Sequence, residues 1–224
     1  MATVSSRART GTTVLRGVPY DAYVAMRRTP GNAHLRMTYH DGTLEIMSPE
    51  FRHERASSRL GQLVLTLAVE LGLDCESSRC TTFRRGGAGV FRGKGKEPDE
   101  SFYFANESRV RGKHVIDLDA GDPPPDLWIE VDNRASSRGK LPVYAALGVP
   151  EVWRHRARKK HLVFLGLDPQ GVYEPIERSR CLPMLTPALV LEGLALGEGL
   201  SAMEWQTMFH AWIGDNFHRP KERG

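Results

Sequence analysis

The segment PPDLWIEVDNRASSRGKLPVYAALGVPEVWR, residues 124–154, carries the strongest indication of the fold. It opens with Asp126–Asp132, a nearly continuous apolar run that is typical of a buried strand. A helix follows, and it should begin about one residue before Pro142, because proline is tolerated only in the first turn. Gly148 ends that helix, and Glu151–His155 forms a further strand. Strand, helix and strand in this order predict an α/β fold with a mixed sheet.

Asp41-Gly42 lies between two alternating runs on the amino-terminal side. This pair favours a type I′ hairpin, because both central residues of that turn have positive φ. We therefore predict antiparallel strands at Leu35–His40 and Thr43–Met47, with Glu45 on the face opposite Leu44. An amphipathic helix of about five turns is predicted over His53–Leu71. Other predicted helices are Tyr20–Arg28 and Ala202–Phe217, and other predicted strands are Cys75–Phe83, Glu100–Phe104, His161–Leu167 and Val172–Ile176.

The length of 224 residues suits one sizeable core. Residues 1–13 are rich in Ser, Thr and Arg, so we expect a disordered tail there and a single domain over 14–224. No run approaches the ~20 apolar residues that a membrane helix needs, and the start of the chain lacks the apolar core of a secretory signal. We therefore expect a cytoplasmic protein without membrane attachment. The 3 cysteines form no CxxC pair, which argues against a disulfide framework and against zinc.

The net charge of +4 is unevenly distributed. Residues 97–132 contain 10 acidic and 3 basic residues, while 51–96 and 133–224 are both net basic. Most of the cations are arginines, whose planar fork suits phosphate. The acidic segment is either a solvated face or the place of a functional site, and the flanking cations are either compositional or suited to a polyanion.

Two basic segments are candidate nucleic-acid contacts. The first is the glycine-rich stretch RRGGAGVFRGKGK, residues 84–96, which lacks the spacing of a P-loop and is read as a flexible basic loop or as a solvated hairpin tip. The second is the turn at 156–160, between two predicted strands. The candidate residues are Arg84, Arg85, Arg92, Lys94, Lys96, Arg156, Arg158, Lys159 and Lys160.

Three carboxylates on or beside predicted strands are the candidate chemical groups: Glu45, Asp99 and Glu130. A buried strand carboxylate is costly unless it is paired or binds a metal. Hard divalent cations such as Mg²⁺ take oxygen ligands, usually one or two carboxylates with water and substrate phosphate. The order of Pro98-Asp99, then Glu130 31 residues later, then Lys140 is more specific than any one of these residues alone.

At these residues the chain resembles a bacterial restriction-endonuclease-like family, formerly a domain of unknown function, of the PD-(D/E)XK nuclease superfamily. The matching segments are DGTLEIMSP at 41–49 with His53, EPDESFYF at 97–104, PPDLWIEV at 124–131, Lys140 and YAALGVPEVWR at 144–154. The resemblance implies a restriction-endonuclease-like central mixed β-sheet flanked by α-helices. It also implies hydrolysis of DNA phosphodiester bonds with Mg²⁺ or Mn²⁺.

The resemblance also implies the residue roles. Asp99 and Glu130 are the metal-binding acids, with the Val131 carbonyl as a third ligand. Lys140 is a catalytic lysine that has migrated off the strand, and it orients the nucleophile or stabilises developing negative charge. Glu45 holds a metal-bound water or a second ion. His53 is expected to hydrogen-bond Glu45 or Glu50, in either a structural or a catalytic role.

Two residues depart from the pattern. Asp132 occupies the position of the usual strand lysine, and it either binds a second metal or, as we favour, pairs with Arg134 or Arg138. Pro142 is placed where it can displace Lys140, in which case Arg138 is the reserve cation. These departures keep two alternatives open: a catalytically impaired nucleic-acid- or partner-binding module, and a phosphodiesterase of small molecules. A homodimer through the Trp205–Trp212 stripe is an option, and packing of that stripe in the core is the other.

Overall fold

The structure is a computed structural model, and it describes residues 3–7, 12–48, 50–132 and 137–217. Its strands are β1 (Thr3–Arg7), β2 (Thr12–Arg16), β3 (Arg36–His40), β4 (Thr43–Met47), β5 (Glu76–Ser77), β6 (Phe83–Gly86), β7 (Gly93–Lys96), β8 (Glu100–Tyr103), β9 (Leu127–Val131), β10 (Glu151–Arg156), β11 (His161–Leu167) and β12 (Tyr173–Ile176). Its helices are α1 (Tyr20–Arg28), α2 (Phe51–Glu70), α3 (Glu107–Val110), α4 (Leu141–Leu147), α5 (Pro187–Ala195) and α6 (Ala202–Phe217). None of the helices in these ranges combines the length and the apolar character that crossing a bilayer requires.

The strands form two sheets of 6 strands each, where the sequence predicted a single central sheet. Sheet A has the order β1-β2-β4-β3-β7-β6, and its neighbouring strands are antiparallel. Sheet B has the order β12-β11-β10-β9-β8-β5 and is mixed, because β9 and β10 run parallel. The chain passes from sheet A to sheet B between β7 and β8, through the three residues Glu97, Pro98 and Asp99. Pro98 has no N–H to continue a ladder, so β7 ends before it.

The β3–β4 hairpin has the predicted turn. Asp41 and Gly42 both have positive φ, 42° and 86°. Glu45 lies opposite Thr38 on β3, and Thr38 lies opposite Lys96 on β7. These three side chains therefore occupy one face of sheet A, and Leu44 is fully buried on the other.

The helices α2 and α4 pack on opposite faces of sheet B. The apolar stripe of α2, with Leu60 and Val64, joins Trp153 in one core cluster. On the other face, Tyr144 of α4 packs against Trp128, with ring centroids 5.3 Å apart. Because side chains alternate along β9, the residues at 128 and 130 face α4, while those at 129 and 131 face α2.

The amino-terminal end of the chain differs from expectation, and the carboxy-terminal helix agrees with it. The predicted tail contains a strand, because Thr3–Arg7 pairs with Thr12–Arg16 as an antiparallel ribbon. The helix α6 has the predicted bounds, and Trp205, Phe209 and Trp212 lie in the core with α2 and α5. The apolar stripe is therefore used within the chain, which removes its support for a dimer interface. The helix α5, which the sequence analysis missed, supplies the Gly193 carbonyl that accepts a hydrogen bond from Trp205.

Candidate active site

Asp99 stands where the chain enters sheet B. Its backbone N–H donates to the Ile129 carbonyl at 3.2 Å, which fixes it beside β9. Its Oδ2 accepts the Val131 N–H at 2.7 Å and lies 3.1 Å from His53 Nε2. Burial would raise the pKa of Asp99, but the hydrogen bond and charge of His53, with the charge of Lys96, hold it below its ordinary value.

Glu130 lies within β9, whose 5 residues are all buried. Its Oε1 accepts the Trp128 indole N–H at 2.6 Å and lies 3.2 Å from Lys96 Nζ. Burial raises the pKa of Glu130, and the negative charge of Asp99 adds to that rise, while Lys96 and Lys140 oppose it. Asp99 and Glu130 are therefore neighbouring buried carboxylates that hold different pKa values because their partners differ.

The structure assigns Lys96 a place that the sequence analysis missed. We predicted a surface contact with nucleic acid, yet Lys96 is only 4% exposed. Besides Glu130, its ammonium group contacts the Glu97 carbonyl. Burial opposes the charge of Lys96, but Glu130 and Asp99 hold its pKa above the ordinary value. Lys96 is therefore part of the candidate site and is not a surface residue.

The glycines of β7 explain why a glycine-rich stretch is a strand. A Cβ added at Gly95 would lie 2.2 Å from the Tyr23 hydroxyl, and one at Gly93 would lie 2.4 Å from the Tyr20 ring. The glycines thus let the tyrosines of α1 pack directly on the strand, and the intervening lysines point to the other face. The signal in the sequence was the period of two in Gly-Lys-Gly-Lys.

Lys140 and Glu45 form an ion pair at 2.7 Å, with side chains 21% and 29% exposed. The pair joins the start of α4 to sheet A, and the charge of Lys140 also acts on Glu130. Pro142 lies in the first turn of α4, which begins at Leu141, so the helix accommodates the proline. Arg138, the predicted reserve cation, lies exposed in the short 3-10 turn Ser137–Lys140.

His53 has different partners from those predicted. It faces Asp99 through Nε2, and its Nδ1 lies 3.5 Å from Glu54 Oε1, so its ring pairs with neither Glu45 nor Glu50, although its backbone N–H donates to the Glu50 carbonyl at 2.9 Å. Burial would lower the pKa of His53, but the two carboxylates outweigh it and raise that pKa to about 10. His53 is therefore a second buried cation beside the carboxylates at neutral pH.

Asp132 is held by Arg154 and is not a free ligand. Arg154 donates to its Oδ2 at 2.7 Å, and the Ser137 N–H donates to its Oδ1 at 2.7 Å. The predicted partner Arg138 is not the one found at this carboxylate, and Arg134 lies outside the described residues. The structural role that we favoured for Asp132 is retained with a different arginine, one that is 22 residues away in sequence.

The predicted surface cations are dispersed over two hairpins. The first is β6–β7, in which Lys94 is bound to Asp41 at 2.5 Å and Arg92 lies 3.6 Å from the same carboxylate. Arg84 and Arg85 lie on β6. In the second, the 3-10 turn Ala157–Lys159 connects β10 to β11, and Lys160 pairs with Glu198 at 2.7 Å. Binding of nucleic acid by these cations stays a prediction, except that Lys96 is buried and Lys94 is already paired.

The donor set suits a hard divalent cation. In the described part of the chain, no group of three or more His, Cys, Asp and Glu side chains forms a metal cluster. Mg²⁺ commonly uses only one or two protein carboxylates, with water and substrate oxygens completing its shell. The Val131 N–H and His53 both contact Oδ2 of Asp99, so Oδ1 is the candidate oxygen for binding a metal. The Val131 N–H donates a hydrogen bond to Asp99. Metal binding by the Val131 carbonyl, the predicted third ligand, remains a prediction.

Comparisons with known proteins support the fold described above. A family model described as "Uma2: Putative restriction endonuclease" matches residues 21–202. A crystal structure described as that of "a putative nuclease belonging to DUF820 from Anabaena variabilis ATCC 29413" is similar with a TM-score of 0.52 and 14% identity, over 79% of this chain and 99% of that chain. No curated protein matches the sequence. The restriction-endonuclease-like fold class is confirmed by this structural likeness.

Proposed function

This chain belongs to the Uma2 family of restriction-endonuclease-like proteins, and from that premise we propose that it hydrolyses phosphodiester bonds of DNA with Mg²⁺ or Mn²⁺. The observation that carries the proposal is the convergence of Asp99, Glu130, Lys96 and Lys140 where the two sheets meet. Buried carboxylates of neighbouring strands, surrounded by cations, are the arrangement that binds a hard metal and an anionic substrate together.

Asp99 and Glu130 would hold the divalent cation, with the Val131 carbonyl as a third oxygen. When bound, the cation polarises a phosphoryl oxygen and lowers the pKa of a nearby water. His53 orients the Asp99 carboxylate through its hydrogen bond and offsets its charge. Lys96 does the same for Glu130 from sheet A.

Lys140 is the cation best placed to meet the substrate. Its side chain is partly exposed, and Glu45 fixes its ammonium group at 2.7 Å. In this position Lys140 would stabilise the negative charge that develops on the phosphate during attack. Glu45 then acts as the residue that positions Lys140, so the role expected of it as a holder of water or of a second ion becomes secondary.

Supercoiled plasmid incubated with the protein and Mn²⁺ or Mg²⁺ tests this function. We expect conversion to nicked and linear forms, and loss of that conversion in Glu130→Gln, which removes the carboxylate charge while keeping the size of the side chain. Calorimetric titration with Mn²⁺ should show binding by the native protein and weakened binding by the variant. Glu174→Gln, at an exposed acid of β12, is the matched control and should behave as the native protein does.

Cleavage at an unchanged rate in Glu130→Gln would remove Glu130 from the mechanism. Turnover of small phosphodiesters in the absence of DNA cleavage would instead favour a small-molecule phosphodiesterase.

A second candidate function is a non-catalytic module that binds nucleic acid or a partner. It is favoured by Asp132, which stands where the superfamily has a lysine and pairs with Arg154. It is also favoured by the two cations that already neutralise the carboxylates, Lys96 and His53. Metal binding without cleavage of any nucleic acid would support this alternative.

A further inference from the structure

A basic cleft lies beside the candidate active site. It has a volume of about 620 Å³ and is bounded by the first turns of α2, the end of β10 with its following turn, and the segment between α5 and α6. Four arginines line it: Arg52, Arg55, Arg59 and Arg158. The acid that borders it, Glu198, is paired with Lys160 at 2.7 Å. The cleft is therefore strongly electropositive.

The arginines of the cleft are of two kinds. Arg59 is structural, because it donates to the carbonyls of Gly197 and Leu200 at 3.1 and 3.2 Å and lies over the Trp205 ring at 4.8 Å. It thereby fixes the far wall. Arg52, Arg55 and Arg158 are exposed, and within the described ranges no carboxylate forms an ion pair with them. Three guanidinium groups thus remain for an anion from outside the chain.

His155 adds a polar group to the wall of the cleft. It is 7% exposed, and its Nδ1 is buried without a hydrogen-bond partner among the described residues. Burial lowers the pKa of His155, and a hydrogen bond with the His161 backbone opposes that effect without outweighing it. An unsatisfied buried polar atom is uncommon in proteins, so a hydrogen-bonding ligand near it is chemically reasonable.

The cleft shares its elements with the carboxylate site. Arg52 immediately precedes His53, which contacts Asp99. His155 lies beside Val131 in the parallel pair of β9 and β10, and its carbonyl accepts the Asp132 N–H at 2.7 Å. The cleft and the carboxylates are therefore connected through the start of α2 and the ends of β9 and β10.

We infer that this cleft is a second phosphate-binding subsite, which holds a backbone phosphate of the nucleic acid next to the one at the carboxylates. The inference rests on the proposed function. The guanidinium fork matches phosphate oxygens in geometry and charge. Arg52 and Arg55 are one helical turn apart, and Arg158 comes from another element, which suits an extended polyanion that contacts several cations at once.

The test measures binding of a fluorescein-labelled 30-base-pair duplex by anisotropy, in EDTA and over a series of NaCl concentrations. For Arg55→Gln with Arg158→Gln, we expect Kd to rise roughly ten- to hundredfold at 0.1 M salt, and the slope of log K against log salt to fall by about 1.8, as two lost phosphate contacts require. The matched control is Arg109→Gln with Lys113→Gln, which removes the same charge near α3, at the opposite end of β9. Thermal melts check that both variants are folded.

Retained charge separates an electrostatic role from a structural one. Arg55→Lys with Arg158→Lys should restore the salt slope. An unchanged slope and Kd in the Gln variant, an equal loss in the control, or no binding of duplex by the native protein would each overturn the subsite. A rise in Tm with inorganic phosphate as large as the rise with duplex would assign the cleft to a free anion and also overturn it.

The outcome does not depend on cleavage, because binding is measured without metal. If the native protein binds duplex through the cleft but cuts no nucleic acid with any metal, the proposed hydrolysis fails and the subsite stands. If it cuts plasmid while the Gln variant binds and cuts as the native protein does, the hydrolysis stands and the subsite fails.

Discussion

Lys96 and Lys140 act on the same carboxylate from two regions of the molecule, and they are held in different ways. Lys96 is buried on β7 and lies 3.2 Å from Glu130. Lys140 precedes α4, is partly exposed, and is bound to Glu45 instead. A buried ammonium group compensates charge inside the fold, whereas an exposed one is available to an anion that arrives from solvent. The two lysines should therefore divide stability and turnover between them.

Removing the buried lysine should have the largest effect. Lys96→Met removes the buried cation that lies beside Glu130, and loss of one partner of a buried pair costs about 3–5 kcal/mol. Urea unfolding followed by tryptophan fluorescence measures this loss. Lys94→Met is the control on the same strand, where we expect a cost of about 1 kcal/mol or less. Equal losses in the two variants would mean that burial does not distinguish the lysines.

Removing the exposed lysine should affect turnover far more than stability. For Lys140→Gln we expect a change in unfolding free energy within about 1 kcal/mol and a fall in plasmid cleavage of about 10²–10³-fold. Arg138→Gln, two residues away, should retain the native rate. The opposite result, with Arg138→Gln inactive and Lys140→Gln active, would make Arg138 the catalytic cation.

His53 should make stability depend on pH. Its pKa is raised to about 10 by Asp99 and Glu54, so between the ordinary value and that value the folded state binds more protons than the unfolded state. The stabilisation is complete below the ordinary histidine pKa of about 6.5 and is lost as pH rises towards 10. The native protein should therefore lose about 4 kcal/mol more than His53→Gln does over this interval. Urea unfolding at several pH values measures it, with exposed His114→Gln as the control. A parallel decline in all three proteins would contradict the pairing.

A Cβ at position 95 should displace β7 and with it Lys96. Gly95→Ala places a methyl group against the buried Tyr23 ring, which is stacked on Tyr39, and overpacking of this kind costs about 1–2 kcal/mol. Gly31→Ala is the control, because its Cβ meets nothing within 4 Å. Thermal unfolding of both variants gives the comparison. If Gly95→Ala is as stable as the control, the glycines of β7 do not serve the tyrosines.

Local signals in the sequence predicted the elements that local chemistry determines. Asp41-Gly42 forms the predicted turn, with positive φ at both residues. Pro142 lies in the first turn of α4, and Gly148 ends that helix with φ of 83°. The apolar stripe of α6 predicted its bounds, and of the two uses left open for it the structure shows packing in the core. In each case the determining residues lie within a few positions of the element.

Contacts between distant segments could not be predicted in the same way. Arg154 was not identified as the partner of Asp132, because residues 22 apart meet only through the parallel pairing of β9 and β10. Lys96 was assigned to a loop because glycine-rich segments are usually flexible. The glycines beside it belong to a strand because the tyrosines of α1 pack against them. The division into two sheets likewise depends on which strands pair, and hydrophobic periodicity does not determine pairing.

The short crossing from β7 to β8 has a consequence for the order of events when the chain folds. Lys96 ends a strand of one sheet, and Asp99 is bonded to a strand of the other, so their separation is fixed only after both sheets have formed. Glu45 and Glu130 meet their lysines under the same condition. A newly synthesised chain with only one sheet complete has the acidic residues but not the assembled centre. If the chain hydrolyses nucleic acid as proposed, this activity would appear only at the final docking step, and incompletely folded copies would leave nucleic acid intact.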